Sequence, residues 1–417
     1  MQWAPLSSHR TTIAIAAHHN GAHPLLRRED FDVIWPPKAV VPVVYHPDYL
    51  SYNFGPAHPF SPLRLEMLWT LLEALGYAPD PLRPPMATRA DVLRVHTEAY
   101  VAHVEAASRG EPLPDAEAFG LDTPDVPIFL GMDPAARTLV GGTLHAARLI
   151  ASGQALSVLQ LGGGFHHAHP SRASGFCIYN DLSIAIRALT DAGLRVAYID
   201  IDVHHGDGVQ AIHYDEDSVL TLSLHESGHY LFPGTGFIDE IGEGRGQGFS
   251  LNVPLQPFTD DQSYLETFER VLPHALVMFR PDVLVVQCGA DAHFQDPLGD
   301  LLLTTHAYEH IFRRLKALAA EHTGGRALFT LGGGYDFDAT VRVWTLLYLI
   351  LQDLPLPDRL PIDWRIDWEQ RLGCSLTPTL HDAALPLSVS SARRQQIAQQ
   401  NVQTAQRLMD RISYYWY

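Results

Sequence analysis

Short apolar runs rich in β-branched residues recur at 155–161, 195–203, 218–224, 282–288 and 326–331, and they limit the folds open to this chain. Runs of that length read as strands buried on both faces, as in parallel sheets. The segments 134–151, 180–192, 260–279 and 304–320 carry apolar residues at spacings of three and four, the helical period. Strand and helix therefore alternate, which predicts an α/β fold with a central, mainly parallel sheet flanked by helices. A further strand is expected at 41–45. The unusual residues described next are spread from Gly162 to Tyr335 and have to meet in one place, so a single catalytic domain over 41–386 is the simplest organisation. It is preceded by an irregular arm at 1–40. A polar, Gln- and Arg-rich helical extension at 387–417, with its helix over 388–413, is expected to pack on the outside.

In open parallel sheets, ligands bind beyond the carboxyl ends of the strands, where the loops diverge. The chain places its reactive residues at those ends. The first run enters Gly162-Gly163-Gly164-Phe165-His166-His167, the second carries Asp200, Asp202 and His204, the fourth enters Gly289-Ala290-Asp291, and the fifth enters Gly332-Gly333-Gly334-Tyr335. If the second run continues as a strand, Asp200, Asp202 and His204 share one face. Asp202 and His204 then form a chelating pair, with Asp291 as the third ligand and positions left open for water and substrate. Oxygen and nitrogen donors of this kind suit Zn²⁺, and Fe²⁺, Mn²⁺ or Co²⁺ fit as well. Asp200 and Asp207 are available to orient His166 and His167, one carboxylate per ring, which is how a general base is tuned. Tyr335, exposed by the glycines before it, is placed to hydrogen-bond an oxyanion.

Composition narrows the function. The 29 Lys+Arg against 47 Asp+Glu give a net charge of −18, and no run exceeds two basic residues, which argues against a nucleic-acid partner. No apolar run is long enough to span a bilayer and no signal-peptide pattern opens the chain, so a cytoplasmic protein with no membrane partner is expected. The three cysteines, Cys177, Cys288 and Cys374, are too few and too widely spaced for a disulfide framework and read as buried free thiols. Of the 23 histidines, His166, His167, His169, His204, His205, His213, His225 and His229 crowd one stretch, which calls for a chemical reason.

These residues sit in seven segments: GPAHPFSPLRLEML, RVHTEAYVAHV, LGGGFHHAHPSRASGFCIYND, YIDIDVHHGDGVQ, SLHESGHYLFPGTG, QCGADAHFQDPLGD and LGGGYDFDATVRVWT. Together, from about residue 45 to 351, the chain resembles the zinc-dependent histone deacetylase superfamily, including the bacterial acetoin-utilisation deacetylases and the acetylpolyamine amidohydrolases. The resemblance implies the arginase/deacetylase-like fold. It also implies zinc at Asp202, His204 and Asp291, a catalytic pair His166 and His167 supported by Asp200 and Asp207, and an electrophilic Tyr335. It further implies an acyl-lysine tunnel walled by Phe176 and Phe232, lined by Gly175 and gated near Leu298, with Asp122 on the rim accepting from the substrate backbone. Arg64 corresponds to the arginine of an inner acetate-release cavity, and backbone carbonyls around Asp200, Asp202, His204, Ser223 and Leu224 to a structural K⁺ site.

The chain departs from the pattern in places. It has three glycines before Tyr335 where many relatives have four, Gln295 where a small residue is usual, and a longer loop at 229–231. The expected reaction is hydrolysis of an ε-N-acetyl-lysine amide in an acetylated protein or peptide, with His167 taking the proton of water, His166 polarising it and Tyr335 donating to the oxyanion. An arginase-like binuclear manganese site would need an acid two residues beyond His204, and Gly206 stands there. An acetylpolyamine substrate would favour an acidic gate over Leu298. An inert acyl-binding module would be expected to lack Tyr335 or a ligand, and the chain lacks none of them.

Overall fold

The structure, a computed structural model, describes residues 40–383 and 389–416. The arm expected at 1–40 lies outside these residues except for Val40. Seven strands form one sheet: β1 (Val43–Val44), β2 (Ser157–Gln160), β3 (Val196–Asp200), β4 (Val219–Glu226), β5 (Ser250–Leu255), β6 (Val283–Gln287) and β7 (Ala327–Thr330). Their order is β1-β2-β7-β6-β3-β4-β5, and every pairing is parallel. The chain runs outward from β3 through β4 to β5, then returns to fill β6 and β7 between β3 and β2. The carboxyl ends of β2, β7, β6 and β3 thereby become neighbours, with Asp200 opposite both Gln287 and Ser223.

The expected α/β architecture is therefore present, and burial on both faces accounts for it. Val196–Asp200 and Val283–Gln287 are buried at every position. Each fully buried Val, Leu or Ile is worth about 1.5–3 kcal/mol over an exposed one. The helices begin where the sequence offers caps. Asn180 accepts from Ser183 N ahead of Asp181–Asp191, Asp260 from Ser263 N ahead of Asp261–Phe279, and Thr304 from His306 N ahead of Thr305–Thr323. Helix Ser391–Trp416 lies against Asp261–Phe279 and β5, and Asn401 bonds Gln256 N, Thr259 Oγ1 and Ser263 Oγ. Among the described residues, no helix is long and apolar enough to cross a membrane.

Three expectations change. β5 is absent from the apolar runs because Asn252 and Pro254 interrupt its pattern; its place at the sheet edge tolerates both. The second run does not stay a strand to Val203, since β3 ends at Asp200. Cys177 and Cys288 are buried, but Cys374, just past the Gly373 cap of helix Ile362–Leu372, is exposed.

Candidate active site

Beyond β3 the side chains organise the backbone. Asp202 N donates to Asp200 Oδ1 and His204 N to Asp202 Oδ1, each at 3.1 Å, while Val203 N donates to Asp291 Oδ1 at 2.8 Å. Asp202 and His204 thus converge through a carboxylate-pinned loop and not through strand alternation. Asp291 arrives from the loop after β6, which is tied to the last glycine run by Ala290 N donating to Gly333 O at 2.8 Å. A methyl group on Gly333 would overlap the carboxylates of Asp291 and Asp202, so the glycine run lets this backbone pass beside them. Its free N–H instead donates to Asp202 Oδ2 at 2.9 Å, and Gln287 Nε2 donates to the same oxygen at 2.6 Å.

Asp202, His204 and Asp291 form a buried group whose donor atoms all lie within 4.8 Å of one another. His204 Nδ1 is 3.0 Å from Asp202 Oδ1 and 3.3 Å from Asp291 Oδ2. Asp291 Oδ2 is buried and accepts no hydrogen bond. Burial and the neighbouring Asp202 charge push the Asp291 carboxyl well up. Burial opposes charge on His204 too, yet the two carboxylates outweigh it and raise its pKa to about 10. This pocket favours a positive charge, and its two carboxylates and one imidazole suit a divalent cation with positions left open.

Beside it lie two imidazole–carboxylate dyads. His166 Nδ1 is 2.7 Å from Asp200 Oδ2, which also accepts from Tyr198 OH at 2.5 Å. His167 Nδ1 is 2.6 Å from Asp207 Oδ1, whose other oxygen is 2.9 Å from His169 Nε2. Burial lowers the His166 pKa, but Asp200 and Asp202 overcome it and leave the value at about 9. Burial and the charge on His166 pull His167 to about 4, against Asp207. Tyr335 completes the group. Burial, with Asp291 and Asp202, holds its phenol well above the usual range, so it remains a donor.

A cavity of about 290 Å³ leads here, lined by Gly175, Phe176, Leu231, Phe232 and Leu298, with His167, His204 and Tyr335 also on its wall. The Phe176 and Tyr335 rings are 5.6 Å apart, and those of Phe232 and His167 5.0 Å. The loop carrying Phe232 is tied down by His225, whose ring bonds Ser223 Oγ at 2.7 Å and the Gly236 carbonyl at 2.9 Å. Asp122, expected on the rim, is exposed; three residues on, Asp125 lines the cavity and accepts from Gly175 N at 2.6 Å.

Arg64 is buried at a separate inner cavity with Leu331, Gly332 and Trp344, and donates to Gly334 O at 2.6 Å. Gln295, the larger residue before Asp296, accepts from Arg342 Nη2 at 3.0 Å. Asp200 and Ser223 stand in register on β3 and β4, which brings the segments named for the K⁺ site side by side. Gly206 leaves no room for an acid, because its added side chain would meet Asp200 Oδ2. Sequence reasoning missed Gln287, Asp296, which accepts from Tyr335 N at 2.7 Å, and the network around Asp382. Only Gln287, last in its strand and next to Cys288-Gly289, carried a local signal.

Acid–imidazole dyads and a buried Asp–His–Asp group at the carboxyl edge of a parallel sheet define the chain as a hydrolase of the arginase/deacetylase fold. Residues 58–351 match the family described as the histone deacetylase domain, so the chain belongs to the histone deacetylase family, which is generally metal-dependent, and is a deacetylase of that superfamily. It is 41% identical over 371 residues to the acetoin utilization protein AcuC of Bacillus subtilis, covering 88% of this chain and 96% of that one. To AcuC of Staphylococcus aureus (strain MSSA476) it is 40% identical over 332 residues, covering 78% and 85%. Crystal structures of an HDAC homolog complexed with SAHA and of an HDAC homolog from Aquifex aeolicus superpose with TM-scores of 0.76 and 0.74, each at 29% identity over 87% of this chain and 99% of the other.

Proposed function

We propose that the chain hydrolyses the amide of ε-N-acetyl-lysine in proteins or peptides, releasing acetate, in a zinc-dependent reaction. The observation that carries this reading is the cavity itself: its walls are apolar and its far end is polar, at His167, His204 and Tyr335. An aliphatic lysine stem matches the walls, and an amide carbonyl matches the end. Asp202, His204 and Asp291 would hold the cation, which when bound supplies Lewis acidity and lowers the pKa of water from about 15.7 towards about 7.

The remaining work belongs to side chains of this chain. His167, neutral at physiological pH, accepts the proton of the attacking water at Nε2 while Asp207 fixes the proton on Nδ1. His166, kept charged by Asp200 and Asp202, polarises that water. Tyr335 donates its hydroxyl proton in a hydrogen bond to the developing oxyanion, and the protonated His167 then returns its proton to the departing amine. Phe176 and Phe232 exclude water from the lysine stem, and the exposed Asp122 on the rim accepts from the substrate backbone. Backbone carbonyls from Asp200 to His204 and at Ser223 and Leu224 are assigned a structural K⁺, and Arg64 the exit of acetate. Cytoplasmic location fits a protein substrate of this kind.

An acid at the mouth also suits a polyamine cation, so Asp125 keeps the acetylpolyamine reading in play, while the apolar Leu298 and Leu231 beside it favour lysine. A turnover screen separates them. Acetyl-lysine peptides are expected to be cleaved faster than N-acetylputrescine, with activity lost on chelation and restored by zinc. Faster cleavage of the polyamine would reverse the assignment, and full activity in chelator would remove the metal from it.

A further inference from the structure

A second group of ligand-type side chains lies away from the cavity. His306 and Glu309 lie near the start of helix Thr305–Thr323, three residues apart and therefore on one face. His381 comes to them from the segment after helix Ile362–Leu372. One donor atom from each of the three lies within 4.8 Å of the others. The two imidazoles stack, with ring centroids 4.6 Å apart and planes 13° from parallel, and His381 Nε2 is 2.7 Å from Glu309 Oε2.

The group is held from beneath. Thr305 and Asp382, the buried neighbours of His306 and His381, bond reciprocally: Asp382 N donates to Thr305 Oγ1, and Thr305 N and Oγ1 donate to Asp382 Oδ2, all at 2.8 Å. This exchange fixes the register of the two segments, so the outward-facing ligands are set before any ion arrives. His306 Nε2 lies 3.2 Å from the Asp382 carbonyl oxygen. A carbonyl only accepts, so the proton sits on Nε2 and leaves the Nδ1 lone pair free, the usual support for a metal-bound imidazole. Arg313 Nε, at 2.8 Å from Glu309 Oε1, orients the carboxylate in the same way.

We propose that His306, Glu309 and His381 form a second divalent-metal site, suited to Zn²⁺, whose role is structural. Two imidazoles and one carboxylate match zinc with a water in the fourth position, and they disfavour Mg²⁺ and Ca²⁺, which want oxygen alone. The ion joins the 381–382 segment to the helix. Asp382 also accepts from His293 Nε2 at 3.0 Å and Arg342 Nη1 at 2.7 Å, and His293 lies two residues beyond Asp291. The site therefore braces the loop that carries the buried Asp291.

The test is zinc content by elemental analysis after stripping and re-equilibration of the full chain, with folding checked by circular dichroism. Wild-type protein is expected to hold two zinc ions, His381→Ala and Glu309→Gln one, and Asp291→Ala one. Asp291→Ala with His381→Ala is expected to hold none. Zinc affinity at the second site should fall at least about tenfold on loss of His381. Wild-type protein with a single zinc that His381→Ala leaves in place would overturn the proposal. So would Asp291→Ala protein with no zinc. Failure of the catalytic reading alone is read separately, as wild-type protein with a single zinc that His381→Ala removes and Asp291→Ala keeps.

Discussion

His166 and His167 are adjacent in sequence, their rings lie 4.0 Å apart, and each bonds a buried carboxylate through Nδ1, yet one is driven towards charge and the other towards neutrality. Their partners' surroundings make the difference. His166 faces the doubly acidic end of β3, with Asp202 Oδ1 3.9 Å from its Nε2 beyond Asp200. His167 shares Asp207 with His169, lies against the Phe232 ring and feels the charge on His166. An imidazole–carboxylate motif thus does not set a proton inventory by itself; the next charges out do, and pairs pushed apart in this way are how acid and base roles are divided.

Replacing each histidine tests that division most severely. His167→Ala is expected to lower kcat by about 10²–10⁴-fold, the contribution of a general base, and His166→Ala by a clearly smaller factor. Equal losses, measured by steady-state turnover of an acetyl-lysine peptide, would erase the distinction. Tyr335→Phe is expected to lower kcat by about 10²–10³-fold with the zinc content unchanged, because one oxyanion donor is removed and no ligand is touched. Full turnover in that variant would reject the assigned donor.

The pH profile sharpens the comparison at smaller amplitude. A base accepts a proton only when neutral, so kcat/KM should hold above the His167 pKa of about 4 and fall as pH drops through it. Ionised Asp207 favours the imidazolium; Asp207→Asn is therefore expected to shift this acid limb to still lower pH, while slowing turnover at neutral pH about tenfold or more by loosening the ring's tautomer. A limb that moves upward would contradict the sign.

The smallest effect concerns stability. Burial pushes the Asp382 carboxyl up, but His293 and Arg342 outweigh it and hold the carboxyl well below the usual range. A depressed folded pKa gives stability that is present above the unfolded value, near 3.9, and is lost as pH falls through the folded one. Asp382→Asn should cost about 1–3 kcal/mol at neutral pH in denaturant titrations, with the gap closing in acid. A gap that stays constant from neutral pH into strong acid would remove the charge from the explanation.

The parallel sheet was legible because strands buried on both faces are written as continuous apolar runs, and the His, Asp and Tyr residues stood out because reactive side chains directly after such runs have little structural reason to be there. β5 was not legible, since an edge strand tolerates Asn252 and Pro254. The route by which Asp202 and His204 converge was misread, because the hydrogen bonds that end β3 come from Asp200, Asp202 and Asp291 side chains, which periodicity does not encode. Asp125 on the cavity wall was not singled out either, because what turns it inward is a local bond, its carboxylate accepting from Gly175 N. The links from His293, Thr305 and Arg342 to Asp382 were invisible, since they join positions 40 to 89 residues apart.

The central claim is that two carboxylates and an imidazole from two loops hold one divalent cation beside the divided histidine pair. Anomalous diffraction at the zinc edge, from crystals of zinc-reconstituted protein that cleaves acetyl-lysine peptide, tests it most directly. The account predicts a peak about 2.0–2.2 Å from oxygens of Asp202 and Asp291 and from Nδ1 of His204. Active protein with no anomalous density among those three residues would contradict it.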